Sequence, residues 1–298
     1  AIEGISVQTP EMVNQDVCII VAVTKLLHKE VGAALNSFDF KNIVFLNEQE
    51  EFYLMSCYYA KIGKFPIAKH VEFSPHVDLA VYEVRNHKDK ELTTKPVLQA
   101  FEHTLQAGAA LTEERIASLC DSTGVNISSR NKQYCEMTAT YWVWKNTSHD
   151  WKGIEHYRRH LCVEEDMITD KIDAILPFPY ICYPDAIHQL SRFVCKDVID
   201  AMLYALNSLH AEQFEDYLDI LHGPYQYTYN LVCAKSEVFD SYCSWFFEIT
   251  EFMEKHSGLS MIQDTRALSY VAEALTNIFF MRNQNKYRIV HTKKTIFT

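Results

Sequence analysis

No apolar run in the 298 residues approaches the roughly 18 to 20 that a membrane-crossing helix needs, which argues against a membrane channel or carrier. Positive charge is scarce: 28 Lys and Arg stand against 39 Asp and Glu, a net charge of -11. Broad nucleic-acid binding, which neutralises many phosphates, is therefore not expected, and only a local basic site for one diphosphate stays open. There is no Gly-x-Gly-x-x-Gly, so no glycine loop for a dinucleotide pyrophosphate. The nine cysteines are odd in number, lack paired short spacings and lie among apolar residues. They read as free thiols of a reducing compartment rather than a disulfide framework or a zinc site. The start, Ala1-Ile2-Glu3-Gly4, has neither the charged region nor the apolar region of a signal peptide, and without an initiating Met the chain is expected to be a fragment.

What is present is an ordinary globular composition, 48% hydrophobic and 22% charged, enough for one large or two smaller domains. The run Asp16 to Val23 is apolar and β-branched, as in a buried parallel strand. A helix should follow it, with Leu26, Val31, Leu35 and Phe38 as core positions, and then a second strand, Asn42 to Leu46. The unit reads β-α-β, the second half of a Rossmann-like domain, over residues 1–75. It is expected to be non-catalytic. Glu50 to Tyr59 reads as a helix, and Gly63 to Pro75 as the linker to a second domain, 76–298. That domain should open with a strand, Leu79 to His87, whose polar end lies where open α/β sheets hold ligands.

The most unusual stretch runs from Asp121 to Leu161. Tyr134, Met137, Thr138, Tyr141, Trp142 and Lys145 recur at spacings of three and four, so 131–146 reads as one helix with Asn131 able to cap it. After a turn, Gly153 to Leu161 looks like one strand, with His156 and Arg158 on one face and Tyr157 and Arg159 on the other. Adjacent arginines past a histidine suit an anion, because a guanidinium offers planar, bidentate, permanent charge to phosphate. In so acidic a chain, pairing of both with carboxylates is the competing reading.

The order D-x-T-G-x-N-I-S, then N-x-x-Y-C-E-x-T-x-x-Y-W-x-W-K-N, then H-Y-R-R, carried by residues from Asp121 through Glu136 and Lys145 to Arg159, closely resembles a family of bacterial glycosyltransferase-like domains of capsular polysaccharide and exopolysaccharide biosynthesis. The likeness runs from about Leu79 to near the C-terminus. It implies an α/β, GT-A-like transferase domain that moves a sugar from a nucleotide-diphosphate donor to a glycan or lipid-linked acceptor. Such a domain would work in the cytoplasm, with peripheral association at the inner face of the membrane left open. On the residues that match, it implies catalytic roles for His156, Arg158, Arg159 and Asp264. Donor binding falls to His87, Lys88, Asp121, Asn126, Asn131, Lys145 and Arg266, and acceptor or sugar binding to Glu136, Tyr157, Asn230 and Glu273. Residues 96–120 would cover the nucleotide. The family usually has Gly-Leu before the histidine where this chain has Ile154-Glu155, which bears on strand packing.

Each of these residues also has a structural reading. His87 and Lys88 suit a surface turn, Glu136 and Lys145 belong to a helix, and Asp264 could cap one. Many GT-A enzymes hold a divalent metal with an Asp-x-Asp pair after a strand, and this chain has none there. Cationic side chains are therefore expected to stabilise the leaving diphosphate. A metal, manganese or magnesium, stays open with His156, Asp121 and Glu136 as its ligands. The rival from another class is a non-catalytic glycan- or nucleotide-binding module, or a scaffold of a polysaccharide assembly complex.

Overall fold

The structure, a computed structural model, describes residues 7–23, 27–72, 76–256 and 266–298. It divides into two compact units, Ala1–Lys64 and Phe65–Thr298. In the first, β1 (Cys18–Val21) and β2 (Asn42–Phe45) pair in parallel through α1 (His28–Ser37), the β-α-β unit the apolar runs imply. Gly32 lets α1 approach the Phe45 ring, since a Cβ there would lie 3.0 Å from it. Val31, Leu35 and Phe38 are half-buried, and Leu26 lies outside the described residues. α2 (Glu48–Ile62) is longer than expected because Asn47 and Glu50 form a reciprocal capping box at its start.

The expected linker does not begin at Gly63 as a free strap. Phe65 and Ala68 are buried in the second unit, Phe65 edge-on to Tyr225 and His291, and the backbone of 66–68 bonds to His291. The physical cause is apolar: two buried side chains hold that segment down.

The second unit is built on one mixed sheet. Its strands are β3 (Leu79–Arg85), β4 (Glu102–Gln106), β5 (Leu119–Cys120), β6 (Trp151–His156), β7 (Arg159–Leu161), β8 (Ala174–Pro177), β11 (Val232–Lys235), β12 (Ile289–Thr292) and β13 (Lys294–Ile296). A small separate hairpin pairs β9 (Tyr180–Ile181) with β10 (Tyr225–Gln226). The order is β12-β8-β11-β6-β3-β4-β5, with β7 and β13 branching from β6. β3 runs parallel to β4 and β6, and β11 is antiparallel to β6 and β8.

Helices cover the sheet: α3 (Asn131–Tyr134), α4 (Met137–Asn146), α5 (Ala186–Leu190), α6 (Lys196–Leu209), α7 (Phe214–Leu221), α8 (Ser236–His256) and α9 (Ala267–Arg282). α8 buries Phe239, Tyr242, Cys243, Phe246, Ile249 and Met253, the stripe its spacing implies. α9 is buried on nearly every side from Ala267 to Phe280, which makes it the central helix.

Two expected continuous elements are broken, each at a place the site uses. The 131–146 helix divides at Cys135, whose φ of 46° and ψ of -126° no helix accommodates, and Asn131 does not cap it. The 153–161 strand folds back at Tyr157-Arg158, because β7 pairs antiparallel with β6 through His156 and Arg159. Tyr229 and Asn230, both with positive φ, separate β10 from β11. The helical period of 186–208 is carried by two helices, α5 and α6.

Asp173 ties the sheet edge together. It accepts from Arg288 Nε at 2.9 Å and Nη2 at 2.7 Å, from the Arg288 backbone N–H at 2.9 Å and from Lys235 Nζ at 2.8 Å. Arg288 foremost, and then Lys235, hold its carboxyl well below the usual carboxylate range, against the opposing effect of burial. A depressed carboxyl stabilises the fold above its unfolded pKa, near 4, and that contribution fades as pH falls. Asp173→Asn is expected to destabilise the protein by about 2 kcal/mol at pH 7 and to flatten its acid sensitivity below about pH 4. Denaturant melts at pH 7 and pH 3 check this; equal stability of variant and wild type at pH 7 would remove the clamp.

Candidate functional site

Parallel pairing sets Val84 opposite His156, so β3 and β6 end side by side. Beyond β3, the Asn86 side chain donates to the Ala107 carbonyl at 3.1 Å and to Asn131 Oδ1 at 3.2 Å, which fixes the turn carrying His87 and Lys88. Beyond β6, the chain reverses over Tyr157 and Arg158. The Tyr157 N–H bonds to the Val84 carbonyl at 3.1 Å, and the Arg158 N–H donates to His156 Nδ1 at 3.3 Å. This reversal brings both arginines to one rim, where alternation along a single strand would have separated them.

Arg158 lies over the Tyr157 ring at 5.3 Å and Arg159 over the Tyr229 ring at 4.1 Å. The Nε of each is buried with no hydrogen-bond partner, and among the described residues no carboxylate lies within ion-pair distance of either. A buried donor without a partner is costly.

Two cavities meet at this rim. One, of about 710 Å³, is lined by Arg158, Arg159, Arg192, Glu273 and the aromatic residues Tyr180, Tyr183, Phe193, Tyr229 and Tyr270. The other, of about 380 Å³, lies over the end of β3 and is lined by Asn86, His87, Lys88, Asp89, Asn131 and Lys132. Glu136, His156 and Arg266 belong to both.

The shared residues are held in known states. Burial first, then the charges of Arg159, Arg158 and Arg266, bring His156 down to about 3, so it is neutral. With Nδ1 accepting from Arg158, its proton sits on Nε2. Glu136, at the first turn after the Cys135 bend, accepts from Asn230 Nδ2 at 2.9 Å, and Asn230 Oδ1 in turn accepts from Thr276 at 3.1 Å. Arg266 Nε lies 3.3 Å from Cys135 Sγ. Glu273 is pushed up to about 7, chiefly by burial and then by the nearby Glu136 charge. It is therefore a carboxyl group that exchanges its proton near neutral pH.

Of the residues singled out in the sequence, the cavities bring together His87, Lys88, Asn131, Glu136, His156, Arg158, Arg159, Arg266 and Glu273. Others stand elsewhere. Asp121 is fully buried and lines neither cavity. Its carboxylate accepts from the Gly108 and Ala109 N–H groups at 2.8 and 3.0 Å, from Thr138 Oγ1 at 2.6 Å and from Ser128 Oγ, which leaves it no capacity for a donor substrate. Asn126 folds its side chain onto its own loop, donating to the Gly124 carbonyl at 2.9 Å. Lys145 stacks on Trp144 at 3.2 Å at the exposed far end of α4. Tyr157 is buried beneath the turn, and Asn230 stands behind Glu136 as its positioning residue. Asp264 lies outside the described residues.

The sequence reading missed Asn86, Asp89, Lys132, Arg192 and the aromatic wall. Arg192 and Phe193 sit in the break between α5 and α6, for which no glycine or proline gave a signal. As for a metal, His156, Asp121 and Glu136 do not assemble, because Asp121 is committed to backbone and hydroxyl donors. Among the described residues no three ligand atoms converge at either cavity. The donor set there is cationic and suits an anion.

A mixed α/β sheet with an anion-ready rim at the end of its parallel strands defines the class of domain. Residues 82–285 match the family described as "Domain of unknown function (DUF4422)", and the chain belongs to that family. In fold it is similar to the solved apo structure of the WbbM bifunctional glycosyltransferase, with a TM-score of 0.61 at 22% identity over 74% of this chain and 45% of that one. This chain thus spans less than half the length of that protein. No curated protein matches the chain. No helix among the described residues is long and apolar enough to cross a membrane.

Asn230→Ala is expected to cost about 2–3 kcal/mol, since it strips Glu136 of its buried partner and leaves alanine at a left-handed φ. Chemical denaturation measures the loss, and a change below about 0.5 kcal/mol would show that Glu136 is not held by Asn230.

Proposed function

We propose that the second unit is a glycosyltransferase of GT-A type, moving a sugar from a nucleotide-diphosphate donor to a glycan or lipid-linked acceptor in bacterial surface polysaccharide biosynthesis. The observation that carries this reading is the pair Arg158 and Arg159, lining a cavity with, among the described residues, no carboxylate partner and no hydrogen bond to either Nε. Guanidinium groups held this way match a diphosphate, whose charge grows as the glycosidic bond breaks.

In this reading the nucleotide lies in the smaller cavity, against Asn86, His87, Lys88 and Asn131. The diphosphate sits where the cavities meet, beside Arg266 and neutral His156, which offers its Nε2 proton as a hydrogen-bond donor. The sugar and the acceptor occupy the larger cavity, where the rings of Tyr180, Tyr229 and Tyr270 can stack on the apolar faces of pyranoses. An acceptor hydroxyl attacks the anomeric carbon, the bond to the diphosphate breaks with its electron pair leaving on the phosphate oxygen, and the hydroxyl proton passes to a base. Glu273 is the described carboxylate suited to that role, because a base acts best with a pKa near the working pH. Glu136, kept in place by Asn230, orients a sugar hydroxyl. The action is placed in the cytoplasm, where nucleotide sugars are supplied.

Arg158→Ala and Arg159→Ala should each lower turnover about a hundredfold or more with unchanged melting temperature. Activity rises with pH through about 7 as Glu273 loses its proton, and Glu273→Gln removes that acidic limb along with most of the rate. Calorimetry with UDP-, GDP- and CDP-sugars, followed by a donor hydrolysis assay, tests the whole reading. Binding with slow hydrolysis supports the enzyme, binding alone makes the unit a recognition module, and neither leaves a scaffold.

A further inference from the structure

Behind the arginine turn, on the other face of the sheet, lies a second constellation. Residues alternate along a strand, so Glu155 points away from the face that carries Tyr82 and His156, into the same side as Glu83 and Glu102. His160, on the neighbouring β7, joins them there.

The hydrogen bonds fix which atoms are left over. Glu83 is wholly buried and accepts from Arg85 Nε at 2.6 Å and Nη2 at 3.1 Å, and from Thr104 Oγ1 at 3.3 Å. It also meets His160 Nε2 at 3.0 Å, so that nitrogen is the one carrying the proton. The opposite ring nitrogen, Nδ1, is turned toward Glu155. Facing it at 3.2 Å is Glu155 Oε1, an atom from a carboxylate with no exposed side chain and no hydrogen-bond partner. Glu155 Oε2 is used by the Leu161 N–H at 3.2 Å, and Glu102 Oε2 by the Gln99 N–H at 2.7 Å. One ligand atom each from Glu102, Glu155 and His160 lies within 4.8 Å of the others. Three carboxylates gathered around one imidazole, with one buried carboxyl oxygen left without a hydrogen bond, call for a positive charge among them, a proton or a metal ion.

We propose that Glu102, Glu155 and His160 bind one divalent transition-metal ion, with Glu83 orienting the histidine from behind. One imidazole with two carboxylates is a donor set for zinc or manganese, and a carboxylate on the far nitrogen of a ligating histidine is the usual means of fixing its tautomer. Small ions reach the group from a cavity of about 680 Å³ that Glu102 and His160 line. The ion joins β4, β6 and β7, and its ligands Glu155 and His160 stand on either side of His156-Tyr157-Arg158-Arg159. It would therefore fasten both ends of that turn from beneath, as a structural ion outside the substrate cavities. The inference does not rest on the transferase reading.

The test uses the full chain, stripped with EDTA, dialysed and titrated with zinc by calorimetry and with manganese by the loss of its free-ion electron paramagnetic resonance. One ion per chain is expected, with binding weakened tenfold or more in Glu155→Gln and in His160→Gln. Asp166→Asn, which disables the exposed His70, Glu164 and Asp166 group, should leave it intact. X-ray absorption on the zinc-loaded wild type should show one imidazole among oxygen ligands, a result independent of whether the variants fold. Failure of both ions to bind stoichiometrically, loss of binding in Asp166→Asn, or sulfur or several imidazoles around the zinc would each overturn the site; the first would mean that only a proton is shared there.

Discussion

A buried carboxylate must be satisfied completely, and in this chain that requirement falls on Asp121. Its two oxygens collect two backbone N–H groups from the turn after β4, a hydroxyl from Ser128 and a hydroxyl from α4. Three separate stretches are thereby drawn to one point. Thr138 also accepts from Asn131, and Asn131 holds both the Cys135 carbonyl and the Asn86 side chain. The position of the bend that presents Glu136 thus descends from a residue that touches no substrate cavity.

The electrostatic arrangement is one of segregation. The chain as a whole is acidic, yet its rim at the end of β3 and β6 gathers Arg158, Arg159 and Arg266, and two of the neighbouring acids are turned elsewhere. Glu83 is engaged by Arg85 and His160, and Glu155 points to the opposite face. Burial foremost, then the charges of Glu102 and Glu83, pushes Glu155 up to about 9, so with no cation beside it this carboxyl keeps its proton at neutral pH. Moving these carboxylates behind the sheet is what leaves Arg158 and Arg159 free. The Ile154-Glu155 departure from the family pattern, which suggested a matter of packing, falls at the centre of that segregation.

Periodicity disclosed β3, which buries a whole run, and α8, which buries an aromatic stripe; the apolar runs of β1 and β2 form strands as well, but Cys18, Ile20 and Val44 are exposed and the expected burial is not there. These are one-dimensional properties, and local sequence carries them. The breaks were not legible. Cys135, Tyr229 and Asn230 adopt positive φ without being glycine, so no residue type announced them, and the reversal at Tyr157-Arg158 is set by pairing with β6 rather than by turn chemistry. For the site, the motif pointed to the right forty residues but could not separate lining from support. Asp121, Asn126 and Asn230 hydrogen-bond to the protein itself, whereas His87, Arg158 and Arg159 have buried nitrogens without partners, a distinction that exists only in three dimensions.

Cys135 carries a backbone conformation that glycine adopts with ease and other residues only under strain. A glycine there would relax the chain, yet it would remove the sulfur against which Arg266 rests and loosen the entrance to the helix that presents Glu136. Breeding this protein for heat tolerance alone would therefore reward a replacement that dulls its working end. Durability and purpose pull in opposite directions at a single α-carbon.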